Sequence, residues 1–373
     1  MFKIMFMDSH DYRENEQGGA IFGSNNHSFY HVEWQAISPE LAGVNGRLIL
    51  DHYSFNRVVG IQQVKEWEKM SNNFRVAVES EGEESKILFR KHIQLKDENS
   101  ILILSKILRF LEEKKVSAPR ILPTKENQLF FKEVEHFYQA FEFLAGDHFR
   151  GTSQELQAAA QGIARLHLVL RATPFEKEIV EKPVILPPWT LAGWKELQIA
   201  ADQKTGLLND VVKKNITYLV AQAEELTKKP IAVREQLIHC DLHPQNFIFE
   251  DGQLKAILDF EGVRMGELAR DVGNACHRLV RQFVVFQGGD WRAHLAEGLK
   301  VFLQAYSEVN QLDNQEIAAI PHFIKDELLR KFFHNLNAYY REGEDKYIIG
   351  GELEKKLPLL REAAEIEKVL PTI

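Results

Sequence analysis

The chain has 373 residues, 45% of them hydrophobic and 27% charged, with a formal net charge of -8 at pH 7. That length is enough for a large core divided between two lobes, and the composition is ordinary for a soluble globular protein. The acidic balance argues against general nucleic-acid binding, and two cysteines, Cys240 and Cys276, give neither a disulfide framework nor a zinc-type spacing. No apolar run approaches the roughly 20 residues that span a bilayer. The opening MFKIMFMDSHDYRENE lacks the apolar stretch and small-residue cleavage site of a secretory signal. The expectation is a cytoplasmic protein without a membrane partner.

Residues 1–36 form an extension punctuated by Gly18, Gly19, Gly23 and the Ser24-Asn25-Asn26 cluster, and no role follows from them. Ser38 and Pro39 predict a helix start, as N-cap and first helical residue. From there to residue 144 the signals alternate. Phe74–Val78 and Ile87–Arg90 predict strands, joined across Glu79 to Glu84 with Gly82 available for a turn. Lys69 to Asn73, just before them, is either a phosphate-covering turn, with Ser71 and Asn73 as its polar residues, or a plain polar loop. Ser100–Lys115 predicts a helix with Ile101, Leu104, Leu108 and Leu111 on one face, ended by Val116 to Pro119. Leu129–Val134 and Tyr138–Phe143 predict two further strands, and the domain boundary is placed at residue 144.

The remainder, 145–373, reads as a helical lobe. Thr152 and Glu155 have capping-box spacing, and Leu156, Ala159, Ile163, Leu166 and Leu170 then recur on one face. His167, near that helix's end, reads as a core or capping residue. Pro183 to Pro188 predicts a loop, and further helices are predicted over 210–228, 268–283, 291–309, 315–340 and 352–369. A strand-rich first lobe thus precedes a helical second one.

The chemistry is concentrated in Ile238-His239-Cys240-Asp241-Leu242-His243-Pro244-Gln245-Asn246 and Ile257-Leu258-Asp259-Phe260-Glu261. The spacings H-x-D-L-x-x-x-N and D-F-x suit phosphoryl transfer, which needs an aligned attacking oxygen and metal on the phosphates more than covalent chemistry. Asp241 would orient and deprotonate a substrate hydroxyl, while Asn246 and Asp259 would supply oxygen ligands to magnesium. Asp251-Gly252 between two apolar runs predicts a hairpin that returns Asp259 to the end where Asn246 lies. His239 and Asp271 read as structural supports, Asp271 either bonding the loop backbone or capping a helix.

These motifs resemble the aminoglycoside phosphotransferase and choline kinase family, the protein-kinase-like small-molecule kinases. HCDLHPQN is similar to its catalytic loop, ILDFE to its metal-binding segment, and Arg270-Asp271-Val272-Gly273 to the motif that follows. The resemblance implies an α+β protein-kinase-like fold of two lobes, a small antiparallel-sheet lobe over 37–144 and a larger helical lobe over 145–373. It implies ATP and Mg2+, with Asp241 as base, Asn246 and Asp259 on metal, and a hydroxyl-bearing small molecule as acceptor. It further implies a phosphate-binding cation at Arg90, or alternatively Lys91, and an adenine-contacting hinge from Glu142 to Leu144.

The sequence departs from that family in the helix over 100–115, where Leu104 occupies the place of the acid that pairs the cation, and Glu98 is a poor substitute. Cys240 within the loop and the short segment from Asp259 to Asp271 point away from protein substrates. Two other readings compete. One is a homologue that binds nucleotide without turnover; the other is a metal-dependent hydrolase using His239, Asp241 and His243 at alternating positions. The acceptor stays open between amino alcohols, homoserine, aminoglycosides and sugars. Asp147, Glu261 and Glu267 would attract a cationic acceptor, although each reads as a solvated surface charge, and Arg264 or Arg278 would favour an acidic one.

Overall fold

Ser38 accepts a hydrogen bond from the Leu41 amide, and Pro39 opens the first helix, as their residue types predict. A computed structural model of the chain describes residue 22 and residues 33–64, 73–93, 95, 97–180, 188–228, 231–349 and 352–372. Its first elements are β1 (Trp34–Ala36), α1 (Pro39–His52), β2 (Arg57–Val64), β3 (Asn73–Ser80), β4 (Glu83–His92), α2 (Glu98–Glu113), β5 (Ile121–Leu122), β6 (Phe131–Glu133) and β7 (His136–Glu142). The strands form one antiparallel sheet in the order β1-β2-β3-β4-β7-β5, with β6 also on β7. β3 and β4 run longer than predicted and are closed by Glu81 and Gly82 at φ 54 and 87, a two-residue turn whose twist suits the strands.

Side-chain alternation divides the sheet between two cores. One face carries Val76, Ile87, Phe89, Tyr138 and Ala140 against Ile49 and Tyr53 near α1. The other carries Phe137 and Phe141, which join α2 through Ile101, Leu104 and Leu108 to the main core of the helical part. Arg90, His92 and Gln139 belong to this second face, because Arg90 pairs Gln139 and His92 pairs Phe137 across β4 and β7. Polar groups are therefore inserted where the sheet, α2 and the helical part meet.

The helical part contains β8 (Asp147–His148), α3 (Ser153–Arg171), α4 (Glu176–Val180), α5 (Leu191–Gln203), α6 (Leu207–Thr227), β9 (Glu235–Ile238), β10 (Phe247–Glu250), β11 (Gln253–Ile257), β12 (Arg264–Glu267), α7 (Leu268–Gln287), α8 (Trp291–Ser307), α9 (Asn314–Arg341), α10 (Lys346–Ile349) and α11 (Glu352–Val369). The Thr152–Glu155 capping box opens α3 as predicted, and Asp313 with Glu316 opens α9 in the same way. α5 has no counterpart in the sequence reading. Buried Ile163, Leu166, Leu279, Phe283, Phe302 and Phe332 fill the space between α3, α7, α8 and α9. Among the described residues no helix is long and apolar enough to cross a membrane.

Two small strand pairs position the loops. β10 and β11 form the predicted hairpin, with Asp251 and Gly252 at φ 51 and 74, and β8 pairs with β10. β12 returns antiparallel along β9, Arg264 opposite Ile238.

One buried charge ties α11 to α7. Glu362 accepts hydrogen bonds from His277 Nε2 at 2.8 Å, Arg281 Nε at 3.1 Å and the Phe22 amide at 3.0 Å. Burial works to raise its carboxyl, but Arg281, His277 and the Phe22 amide outweigh it and hold the group down at about 2. An unfolded glutamate titrates near ~4.3. A depressed native value adds stability above the unfolded one, and that stability is lost as pH falls through the native value. Glu362→Gln is expected to lower unfolding free energy by about 3 kcal/mol at neutral pH, with the deficit shrinking between about pH 4.3 and 2. Urea titrations of both proteins across that range measure it.

Candidate active site

The loop after β9 is built on an unusual backbone. Cys240 has φ 73, in the left-handed region, so the His239 and Cys240 amides both turn toward one carboxylate. Asp271, in the first turn of α7, accepts from His239 N and Cys240 N, each at 2.8 Å. His167 Nε2 adds a third bond to Asp271 at 3.0 Å, and its Nδ1 meets the Tyr306 hydroxyl at 2.7 Å. Burial opposes ionisation of Asp271, yet His167 and the loop donors hold its carboxyl below the usual range.

His239 turns inward. Its Nε2 donates to the Leu258 carbonyl at 2.9 Å, and its Nδ1 lies 3.3 Å from the Asp241 amide as acceptor. Burial lowers its pKa against the pull of Asp271, in keeping with a neutral ring. With both nitrogens used inside the fold, His239 is not a metal ligand, and the alternating trio His239, Asp241 and His243 does not converge on an ion. Among the described residues no group of three or more His, Cys, Asp or Glu side chains forms a metal cluster.

The Asp241 side chain is about half exposed, and His243 Nε2 stands 3.5 Å from its Oδ2. Burial would raise its carboxyl, but the hydrogen bond from His243 and the charge of Lys331 reverse that and keep it ionised. Asn246 donates from its amide nitrogen to the Asp241 carbonyl at 2.8 Å. The hairpin brings Asp259 alongside: Leu258 N donates to the Asn246 carbonyl at 2.8 Å, and Asp259, at φ 64, swings out of the strand direction. The carboxyl of Asp259 is raised by burial and by the charges of Glu261 and Asp241, with Arg90 opposing.

Arg90 crosses from the sheet to this site. One guanidinium nitrogen lies 3.3 Å from Asp259 Oδ1 and 2.8 Å from Glu261 Oε1. Lys91 occupies the other face of β4, opposite Tyr138. Asn73, the first residue of β3, is the cross-strand partner of Arg90. Ser71 lies outside the described residues. Glu142 ends β7, where its amide donates to the Arg120 carbonyl at 3.0 Å and its carboxylate accepts from Arg120 at 2.9 Å; Leu144 follows in the connector.

Two acidic residues depart from the surface-charge reading. Glu261 is mostly buried against Arg90 and His92, and Glu267 pairs with Arg270 Nε at 2.8 Å. His92 and Gln139 were missed as well, whereas His167 is the buried core residue its position suggested. Gln139 left a signal, as a single amide inside the apolar run from Phe137 to Phe141.

Fold and site together define a protein-kinase-like small-molecule kinase with an alcohol group as acceptor. The sequence matches the phosphotransferase enzyme family over residues 67–312, and the chain belongs to that family. It is 23% identical over 327 residues to a homoserine kinase of Allorhizobium ampelinum, covering 87% of this chain and 95% of that one. In structure it is similar to spectinomycin phosphotransferase in complex with ADP and spectinomycin, with TM-score 0.61, 15% identity, and coverage of 91% and 100%. It is also similar to amicoumacin kinase in complex with AMP-PNP and Ca2+, with TM-score 0.58, 17% identity, and coverage of 89% and 94%. At these identities the structural likeness is one of fold.

Asp271→Asn keeps the shape but offers one acceptor oxygen to two amides. It is expected to cost about 1–3 kcal/mol in urea unfolding, by leaving a buried N–H without its bond. Initial rates should fall by at least about ten-fold, because Asp241 is positioned through those amides.

Proposed function

We propose that the chain moves the γ-phosphate of ATP, with Mg2+, to a hydroxyl of a small polar acceptor, with nucleotide held between the sheet part (37–144) and the helical part (145–373). The observation that supports this best is the hairpin geometry, which sets Asp259 beside Asn246 and Asp241 and within reach of Arg90. Asp241, ionised and half exposed, accepts the hydroxyl proton at a carboxylate oxygen. Asn246 commits its amide nitrogen to Asp241, so its oxygen is the atom available to a cation. That oxygen and the Asp259 carboxylate are hard donors of the kind Mg2+ takes. The metal supplies charge neutralisation on the phosphates. Arg90 directs donors at the same charge, and Glu142 with Leu144 borders the adenine.

For the acceptor, we propose a zwitterionic amino acid bearing a hydroxyl. Charges of both signs surround the loop: Lys331 acts on Asp241, and Arg264 and Glu327 on Cys240. Such a border suits a molecule with both an ammonium and a carboxylate. The homoserine kinases among the relatives have an acceptor of that kind.

Asp241→Asn is expected to reduce transfer by about 10²- to 10⁴-fold while ATP binding changes little, since only the base is removed. The assay is ATP consumption with product mass, over homoserine, amino alcohols, aminoglycosides and free sugars. Wild-type protein that binds ATP but neither transfers nor hydrolyses it across the panel would return the reading to a non-catalytic homologue. Transfer to aminoglycosides alone would overturn the acceptor assignment.

A further inference from the structure

A guanidinium on a strand needs a fixed counter-charge, since an arginine side chain has many rotamers and a partly buried one must be paired. Helix α2 provides no acid here. Leu104 is buried in the core, and the neighbouring Ser105 is wholly buried with its hydroxyl donating to the Ile101 carbonyl at 2.7 Å. Arg90 nevertheless has two anionic partners, Asp259 and Glu261, and the bond to Glu261 is the shorter.

Glu261 is held in turn. His92 Nδ1 lies 3.0 Å from Glu261 Oε1, and His92 Nε2 lies 2.9 Å from Gln139 Oε1. Gln139 Nε2 donates to Ser105 Oγ and to the Leu129 carbonyl, each at 3.0 Å. The carbonyl can only accept, so Gln139 Nε2 is the donor there and the Gln139 amide oxygen faces His92 Nε2. Ser105 and Gln139 are wholly buried and His92 is 2% exposed. Their bonds form one continuous path from the middle of α2 through the sheet to Glu261 and Arg90. An apolar set of similar volume would fill this layer at least as stably, so the network's contribution is a fixed geometry.

We propose that Arg90 is positioned for the nucleotide phosphates by Glu261, and that α2 acts on it through the path Ser105–Gln139–His92, making Gln139 and Ser105 positioning residues for triphosphate binding. The inference rests on the proposed role of Arg90. Glu261 is two residues from a proposed metal ligand, so substitution there would mix two effects, and the test is made at the far end of the path.

The dissociation constant of AMP-PNP with Mg2+ is measured by calorimetry for the full chain and for Arg90→Met, Gln139→Met, Ser105→Ala, Ser105→Thr, and Arg90→Met combined with each of the first two others. Gln139→Met and Ser105→Ala are expected to weaken binding by about 5- to 20-fold, the loss that a displaced hydrogen-bonded charge produces, and Ser105→Thr, which keeps the hydroxyl, to restore it. In the Arg90→Met background the same two changes should alter binding by less than about two-fold, because their route is gone. Equal losses in both backgrounds would overturn the inference and leave the path merely structural. If Gln139→Met fails to fold, the smaller Ser105→Ala pair carries the comparison. An Arg90→Met protein that binds AMP-PNP as wild type does would sink the reading of Arg90 itself, and this inference with it.

Discussion

Two backbone amides turned onto the buried carboxylate of Asp271 set the geometry from which the rest of the site follows. A left-handed conformation at Cys240 has a cost of about 1–3 kcal/mol for a residue with a side chain, and it persists where its surroundings over-determine it. Here the surroundings are three donors on one carboxylate, with His167 anchored in turn by Tyr306. The bend is what lets His239 point into the fold while Asp241, two residues on, points out of it. A carboxylate accepting several charge-assisted bonds in a dry environment is stiff, and that stiffness fixes the loop from which Asp241 projects.

The hairpin adds the second constraint. Its Asp-Gly turn sets the register, the register aligns Phe247 with Ile257, and Leu258 then closes onto the Asn246 carbonyl. Beyond that closure the chain leaves strand geometry at Asp259, again in the left-handed region, and returns through β12 along β9. Both chemical segments are therefore parts of one small framework. His239 Nε2 bonding to Leu258 O links the loop directly to the segment that carries Asp259.

Much of this was legible in the sequence because it is local. The capping boxes, the proline at the start of α1, the Asp-Gly turn and the spacing within each motif act over a few residues, and each has a physical reason to appear as it does. What stayed hidden is non-local. Glu261 looked like a solvated charge because its partners, Arg90 and His92, are 169 residues away or more and meet it only once the sheet docks on the helical part. Leu104 marked where an acid was absent, and the lone amide of Gln139 in its apolar run gave no hint of its partners, Ser105 on α2 and His92 on β4. The face of β4 decides between Arg90 and Lys91 for contact with Asp259, and that face depends on register with β7.

The charges around Asp259 explain why Arg90 needs more than one partner. Asp241, Asp259 and Glu261 crowd together, and two like charges about 4 Å apart repel by about 4 kcal/mol at an effective dielectric of 20. Arg90 offsets that repulsion by bridging Asp259 and Glu261. Under the proposed assignment Asp259 would exchange Arg90 for a divalent cation, and the guanidinium would then direct its donors toward phosphate. If Asp259 were its only partner, this exchange would release the side chain into many rotamers. With Glu261 braced by His92, the exchange would change which anion Arg90 meets while keeping where Arg90 stands, the arrangement that stabilisation by a fixed cation requires.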